Sequence, residues 1–281
     1  PNHLYRTVVT RGTLAAVVPG RGCPYRCAFC FKQPSDSRIR FRRPEEVADE
    51  MEAVVRDYGV AEIGLVSDQF TADRAFVEGL CAQLIARQFR TPWNAEARAD
   101  TVDLELLRRM RQAGCHGLRF GVESGSPQIL ERMNKNIDPK VTLKTREWVR
   151  DAGIEFLGLF IIGYLGETRQ TIEETFAFID RLKPDMAVFA AATPLPGTKL
   201  LQESVNEGVI PSDYWTQYLF NEQLPPLPYL FNDTEKWMRK AYRRFFLSPR
   251  FLFGRRTARS GDSFAESLRA LMGILRVGRG R

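Results

Sequence analysis

Histidine is nearly missing from this sequence: the 281 residues hold only His3 and His116, too far apart to form the paired ligands of a Cys/His zinc site. Long apolar runs are missing as well. The longest, FLGLFIIGYL at 156–165, has ten residues, where a membrane-spanning helix needs about 20, so no span is expected. No basic stretch followed by an apolar segment precedes the first expected strand, so no secretory leader is expected either. The sequence opens on Pro1 rather than Met, as a piece of a longer protein would. Cysteine is sparse and odd in number, five in all with three inside eight residues. That pattern argues against a disulfide framework and for metal binding in a reducing, cytoplasmic compartment.

What is present suits a folded core. With 44% hydrophobic and 27% charged residues the chain is neither disordered nor low in complexity, and its length fits two ordinary domains or one large α/β barrel. The positive charge is unevenly placed. Residues 236–281 hold 13 Lys or Arg against Asp262 and Glu266, a net +11, whereas the first 235 residues hold 28 basic and 32 acidic side chains. Within that tail, Trp237, Ala241 and Phe245 and, beside them, Met238, Tyr242 and Phe246 recur every four residues, which predicts an amphipathic helix ended by Pro249. Its aromatic face is expected to pack on the main domain, the alternative being a surface for anionic lipid or nucleic acid.

Apolar runs of strand length alternate with helical patterns over residues 13–207, the mark of parallel βαβ units. Six strands are expected, at 14–18, 62–66, 93–97, 117–122, 155–162 and 186–192. The first helix has Pro44 at its first position, Glu45 and Glu46 at the positive end of its dipole and Gly59 at its end. Further helices are expected near 74–89, 102–112, 140–152, 168–182 and 199–206, with Gly114 and Gly153 as C-terminal caps. Six units fall short of the eight that close a full barrel. The expected fold class is therefore α/β, a partial (β/α)6 barrel over residues 1–210, followed at 211–281 by a basic, aromatic-rich helical extension that includes an irregular Pro-rich crossing at 224–229. The chemistry belongs at the C-terminal ends of the strands.

There the sequence is most unusual. Directly after the first strand, PGRGCPYRCAFCF sets Cys23, Cys27 and Cys30 on one loop. Three thiolates can hold three corners of a 4Fe–4S cube, which normally takes four cysteines. Cys81 lies in the apolar part of a helix and Cys115 follows Gly114, so both read as core residues and one iron would stay open. A structural zinc site is the rival, and it lacks its paired fourth ligand.

CPYRCAFC, with an aromatic residue before the last cysteine, resembles the CxxxCxΦC signature of the radical S-adenosylmethionine (SAM) enzymes. The resemblance implies that the open iron binds the amino and carboxylate groups of SAM, and that a reduced cluster, at a potential down to about −700 mV, splits SAM into methionine and a 5′-deoxyadenosyl radical. It extends over residues 12–207. By position it places Phe29 beside adenine, Ser67 and Asp68 of VSDQF near the amino group, and Glu96 and Arg98 of WNAEAR at the cofactor edge. It further places Glu123 and Ser124 of FGVESGS by the ribose and Lys135 of RMNKN by the methionine carboxylate. Ile162 belongs to the adenine-side segment FIIGYLGET, where Leu165 stands in place of the usual Pro, and TPLPGT resembles the family's PxPGT turn.

Taken together, these segments and the late AYRRFFLSPRF resemble the subgroup with a cobalamin-binding domain ahead of the radical domain, a domain not found in these residues. The resemblance implies C-methylation or ring formation on a small or lipid-like substrate, possible use of cobalamin, and a low-potential electron donor of flavodoxin or ferredoxin type. Two alternatives remain: a tRNA-modifying radical enzyme whose basic tail contacts RNA, and a non-catalytic iron–sulfur protein. Peripheral membrane contact through the tail would fit a lipid substrate.

Overall fold

A computed structural model describes residues 13–220 and 229–254. His3, nearly all of the Pro-rich crossing and the tail beyond residue 254 lie outside these. Six parallel strands form one curled sheet in the order β1 (Leu14–Val17), β4 (Glu62–Leu65), β5 (Trp93–Ala97), β6 (Cys115–Glu123), β7 (Glu155–Ile162) and β8 (Met186–Ala191). Each lies within two residues of its expected place. Two further strands of two residues each, β2 (Gly20–Arg21) and β3 (Arg40–Phe41), make a small antiparallel hairpin that sequence patterning is too short to reveal.

Alternation along the strands sorts the side chains. Trp93, Ala95 and Ala97 point outward into the main core, with Ile63, Leu65, Phe120, Phe156 and Phe160. Asn94 and Glu96 point into the concavity, where they meet Arg119 of β6. The outer face is covered by α1 (Pro44–Tyr58), α2 (Arg74–Ala86), α3 (Leu104–Gln112), α5 (Pro139–Asp151) and α6 (Arg169–Leu182). Local chemistry sets their ends. Helix α1 closes on Gly59 in the left-handed conformation (φ 60°). Helix α2 stops at Ala86, three residues short of expectation, because Gln88 takes a positive φ of 53° and turns the chain. Helix α3 starts at Leu104 rather than Val102, since Asp103 caps it by accepting from the Leu106 N–H at 2.8 Å.

The basic helix forms as expected: α9 (Thr234–Phe246) lays its aromatic face against β8 and β7. Ala241, Phe245 and Phe246 join the main core, Phe189 of β8 meets Tyr242 edge-on at 5.1 Å, and the Tyr242 hydroxyl donates to the Phe189 carbonyl at 2.9 Å. On its outer side Lys240 pairs with Glu173, and Arg244 with Asp180 at 2.6 Å. A short α10 (Pro249–Gly254) follows. Three more helices, α4 (Pro127–Arg132), α7 (Lys199–Asn206) and α8 (Tyr214–Phe220), lie along the chain between these elements; residues of each, with Tyr164, Leu165 and Ala192, form a second apolar cluster. Among the described residues no helix is long and apolar enough to cross a membrane.

Candidate radical cofactor site

The cysteine loop leaves β1 through the β2–β3 hairpin. Gly22 sits at φ 92°, and a Cβ there would lie 2.3 Å from the Arg38 carbonyl, so only glycine fits. Its N–H donates to Asp68 Oδ2 at 2.6 Å, which ties the loop after β4 to the cysteine loop. The rest of the loop is fastened from several sides. The Ala28 N–H donates to the Met133 carbonyl (2.8 Å), the Leu200 N–H to the Ala28 carbonyl (2.9 Å), and the Asn134 side chain to the Arg26 carbonyl (2.6 Å). Lys32 donates to the carbonyls of Cys23 and Tyr25.

Arg98 is the buried rivet of this assembly. Its guanidinium lies 3.8 Å over the Tyr25 ring, donates to the Lys135 carbonyl at 2.6 Å and pairs with Asp100 at 2.8 Å. In one side chain it joins the end of β5, the cysteine loop and the turn after α4. Sequence reading marked Arg98 but missed Tyr25, Lys32 and Asn134; the only signal for Tyr25 and Asn134 was their place inside CPYRC and MNKN, and Lys32 lies two residues past Cys30 with no signal of its own.

Cys23 and Cys27 are half-buried and Cys30 is exposed. Although Cys30 as a residue is exposed, partial desolvation of its sulfur pushes the thiol up, with Lys32 opposing the rise and Cys27, Cys23 and Asp68 adding to it. Cys30 therefore senses both other sulfurs, and a metal bound there would favour its thiolate. Cys81 and Cys115 are fully buried elsewhere; burial pushes the Cys81 thiol up to about 12 and the Cys115 thiol further still. Among the described residues no three His, Cys, Asp or Glu groups converge closely enough to share one ion. A cubane does not ask for that, because each thiolate takes its own iron.

At the end of β6 the register with β7 breaks between Gly121 and Glu123, and Glu123 takes a φ of 65°. That turn brings its carboxylate 2.8 Å from Lys135 Nζ, both side chains being only 9% exposed. Gly121 makes the room, since a Cβ there would stand 2.4 Å from Glu123 Oε1 and 2.7 Å from Lys135 Nζ. Two residues expected as separate contacts thus form one buried pair. Ser124 is fully buried, its hydroxyl 2.9 Å from that of Thr175 in α6, while Ile162 points into the main core and its carbonyl accepts from the Ala192 N–H. Phe29 packs against the second apolar cluster. Glu96 pairs with Arg119 at 2.6 Å. Ser67 Oγ, Gln69 Nε2 and Glu96 Oε2 are buried without a hydrogen-bond partner among the described residues. Such atoms are costly to leave unmet, and at the C-terminal edge they suit a polar ligand with several donors and acceptors.

Comparison with known proteins finds relatives in sequence and in fold. The chain is 32% identical over 263 residues to an uncharacterized methyltransferase of Pyrococcus horikoshii, across 93% of this chain and 57% of that protein. It is 30% identical over 234 residues to the anaerobic magnesium-protoporphyrin IX monomethyl ester cyclase of Rubrivivax gelatinosus, across 83% of this chain and 42% of that enzyme. The chain spans about half the length of the curated relatives it matches. Among solved structures, the cobalamin-dependent SAM radical enzyme OxsB superposes with a TM-score of 0.66 over 94% of this chain and 45% of its own, at 16% identity. The radical SAM methyltransferase TsrM of Kitasatospora setae gives 0.64 over 70% of this chain and 37% of its own, at 22% identity. At these identities the likeness is one of fold. The radical SAM superfamily model matches residues 17–179, more than half of the sequence, and this chain therefore belongs to the radical SAM superfamily, which uses a 4Fe–4S cluster and SAM.

Proposed function

We propose that this chain is the radical-generating half-barrel of a methyltransferase or cyclase, with Cys23, Cys27 and Cys30 holding three irons of a 4Fe–4S cluster and SAM lying along the C-terminal edge of the sheet. When bound, such a cluster supplies the low-potential electron that splits SAM into methionine and a 5′-deoxyadenosyl radical. The observation that carries the reading is the single hydrogen-bonded unit made by the cysteine loop, Arg98 and the Lys135 turn, which holds three thiols and a buried cation in fixed relation. Lys135 offers its Nζ to the SAM carboxylate while Glu123 holds it in place. Ser67 Oγ and Glu96 Oε2 meet the polar groups of the cofactor, and Phe29 offers a ring to the adenine. Asp68 and Arg98 act by holding the loop.

In this reading residues 1–210 are the radical domain and 211–281 its extension. The names of the relatives, a methyltransferase, a cyclase and a cobalamin-dependent SAM radical enzyme, support C-methylation or ring formation with possible use of cobalamin; a small or lipid-like substrate and a flavodoxin- or ferredoxin-type electron donor are part of the same proposal. An RNA substrate is less favoured, because α9 buries its aromatic face and pairs Lys240 and Arg244 with acids of α6. Anaerobic reconstitution tests the proposal. Four irons per chain, none in the triple Cys→Ala variant, and reductant-dependent release of 5′-deoxyadenosine from SAM are expected. Stoichiometric zinc without iron uptake would overturn it.

A further inference from the structure

The end of the half-barrel opposite the cysteine loop holds a second cluster of polar groups that the proposed chemistry does not use. At the start of β6 the register against β5 shifts between Trp93 and Asn94. Such an irregularity re-aims a side chain, and here it leaves Cys115 in the outer core while His116 lines the concavity. His116 Nε2 lies 2.8 Å from Glu62 Oε1, and the His116 side chain is 7% exposed. Its other nitrogen, Nδ1, is buried and has no hydrogen-bond partner among the described residues. Beside it is a mainly apolar cavity of about 230 Å³, walled by Leu14, Leu157, Met186 and Val188, with Arg119, Glu155 and Asp185 also on its lining.

A chain of hydrogen bonds fixes the role of His116 Nε2 toward Glu62. Arg119 has only donors, so Asn94 must turn its carbonyl oxygen to Arg119 and its NH2 to Glu62. Glu62 Oε1 is thereby an acceptor, and His116 Nε2 must be the donor that meets it. In the neutral ring this leaves Nδ1 as a bare acceptor at the edge of an apolar cavity.

We propose that this floor is a ligand pocket, taking a ring-sized apolar group that presents one hydroxyl or N–H donor to His116 Nδ1. Resting on the proposed function, the group is the end of the substrate remote from the reacting carbon. His116 and Glu123 are seven residues apart on β6, roughly 23 Å at about 3.3 Å per residue, so the pocket lies well away from the cofactor edge. Contacts at that distance orient an elongated substrate, and their binding energy can be used at the reacting centre.

The test needs neither iron nor SAM, so it fails or succeeds separately from the proposed function. The full chain, free of added histidine and labelled with 15N in its imidazoles, carries only His3 and His116, and His116→Gln identifies the second set of signals. Phenol is the probe, and anisole, the same ring without a donor, is its control. Phenol is expected to move the His116 Nδ1 resonance upfield and anisole to leave it in place. In His116→Gln, whose amide can still donate to Glu62, phenol should bind roughly three- to tenfold more weakly, the worth of one ordinary hydrogen bond. Val188→Phe should fill the cavity and abolish phenol binding with the His116 tautomer unchanged, which keeps the test open if His116→Gln does not fold. Nδ1 found protonated in the free chain, equal binding of phenol and anisole, or unchanged phenol binding in Val188→Phe would each overturn the pocket.

Discussion

Glu167 is a buried carboxyl with no ion-pair partner among the described residues, and its titration should be visible in the stability of the protein. It stands just before α6, where one oxygen accepts from the N–H groups of Gly163 and Tyr164 and the other has no partner among the described residues. Burial pushes its pKa from 4.5 up to about 7, against the downward pull of those two N–H groups. Below about pH 4.5 folded and unfolded chains both carry the proton, and the group is neutral in each. Between 4.5 and 7 the unfolded chain loses the proton while the folded chain keeps it, so stability falls as pH rises; above 7 the loss is complete. At about 1.4 kcal/mol for each pH unit, the full loss is roughly 3 kcal/mol. Glu167→Gln keeps a carbonyl for the two N–H groups and cannot ionise. Urea unfolding of parent and variant, anaerobic and in the same metal state, should give a difference in stability that shifts toward the variant by roughly 3 kcal/mol from pH 4.5 to 8. A difference that stays flat within about 0.5 kcal/mol would show that Glu167 is ionised and hydrated in the folded chain, and would refute the reasoning.

Three further outcomes are expected. Gly22→Ala places a side chain at φ 92° and 2.3 Å from a carbonyl oxygen, costing about 1–2 kcal/mol from the backbone alone; iron per chain after reconstitution should fall sharply while far-UV circular dichroism stays that of the parent. Lys135→Ala strands the Glu123 carboxylate at 9% exposure and should cost about 3–5 kcal/mol, whereas Lys135→Met with Glu123→Gln should cost far less; equal urea midpoints for the two would show that the pair is not coupled. Phe245→Ala should destabilise by about 3–5 kcal/mol, since this ring belongs to the main core, while Lys236→Ala on the exposed side of α9 should stay within about 0.5 kcal/mol in the same urea titration.

The six strands were legible because a parallel strand covered on its outer face reads as an apolar run, and the cysteine loop because its spacing is carried by eight consecutive residues. What could not be read depends on single backbone angles. A positive φ at Gln88 shortens α2, and the break at Gly121–Glu123 turns Glu123 onto Lys135. Neither residue type announces such an angle; glycine does so more reliably, and the helix ends expected at Gly59, Gly114 and Gly153 all carry positive φ.

Charge was the quantity that counting misjudged most. The basic helix reads as strongly positive when residues are summed along the chain, and a sum of that kind suggests a polyanion. Yet Lys240 meets Glu173 and Arg244 meets Asp180, partners 67 and 64 residues away. Those acids lie on α6, in the part of the sequence whose excess is negative, so the helix and the domain it covers partly neutralise each other at their contact. A surface pair of this kind adds little stability, typically less than about 1 kcal/mol, but it reduces the field available to a phosphate backbone. The aromatic stripe was the better guide, because burying rings of 150–250 Å² each, by order of magnitude, outweighs exposed ion pairs in deciding which face of a helix turns inward. Residues buried on that stripe cannot stack on bases, and this is why the geometry of α9 favours a role in the enzyme's own fold over one in holding RNA.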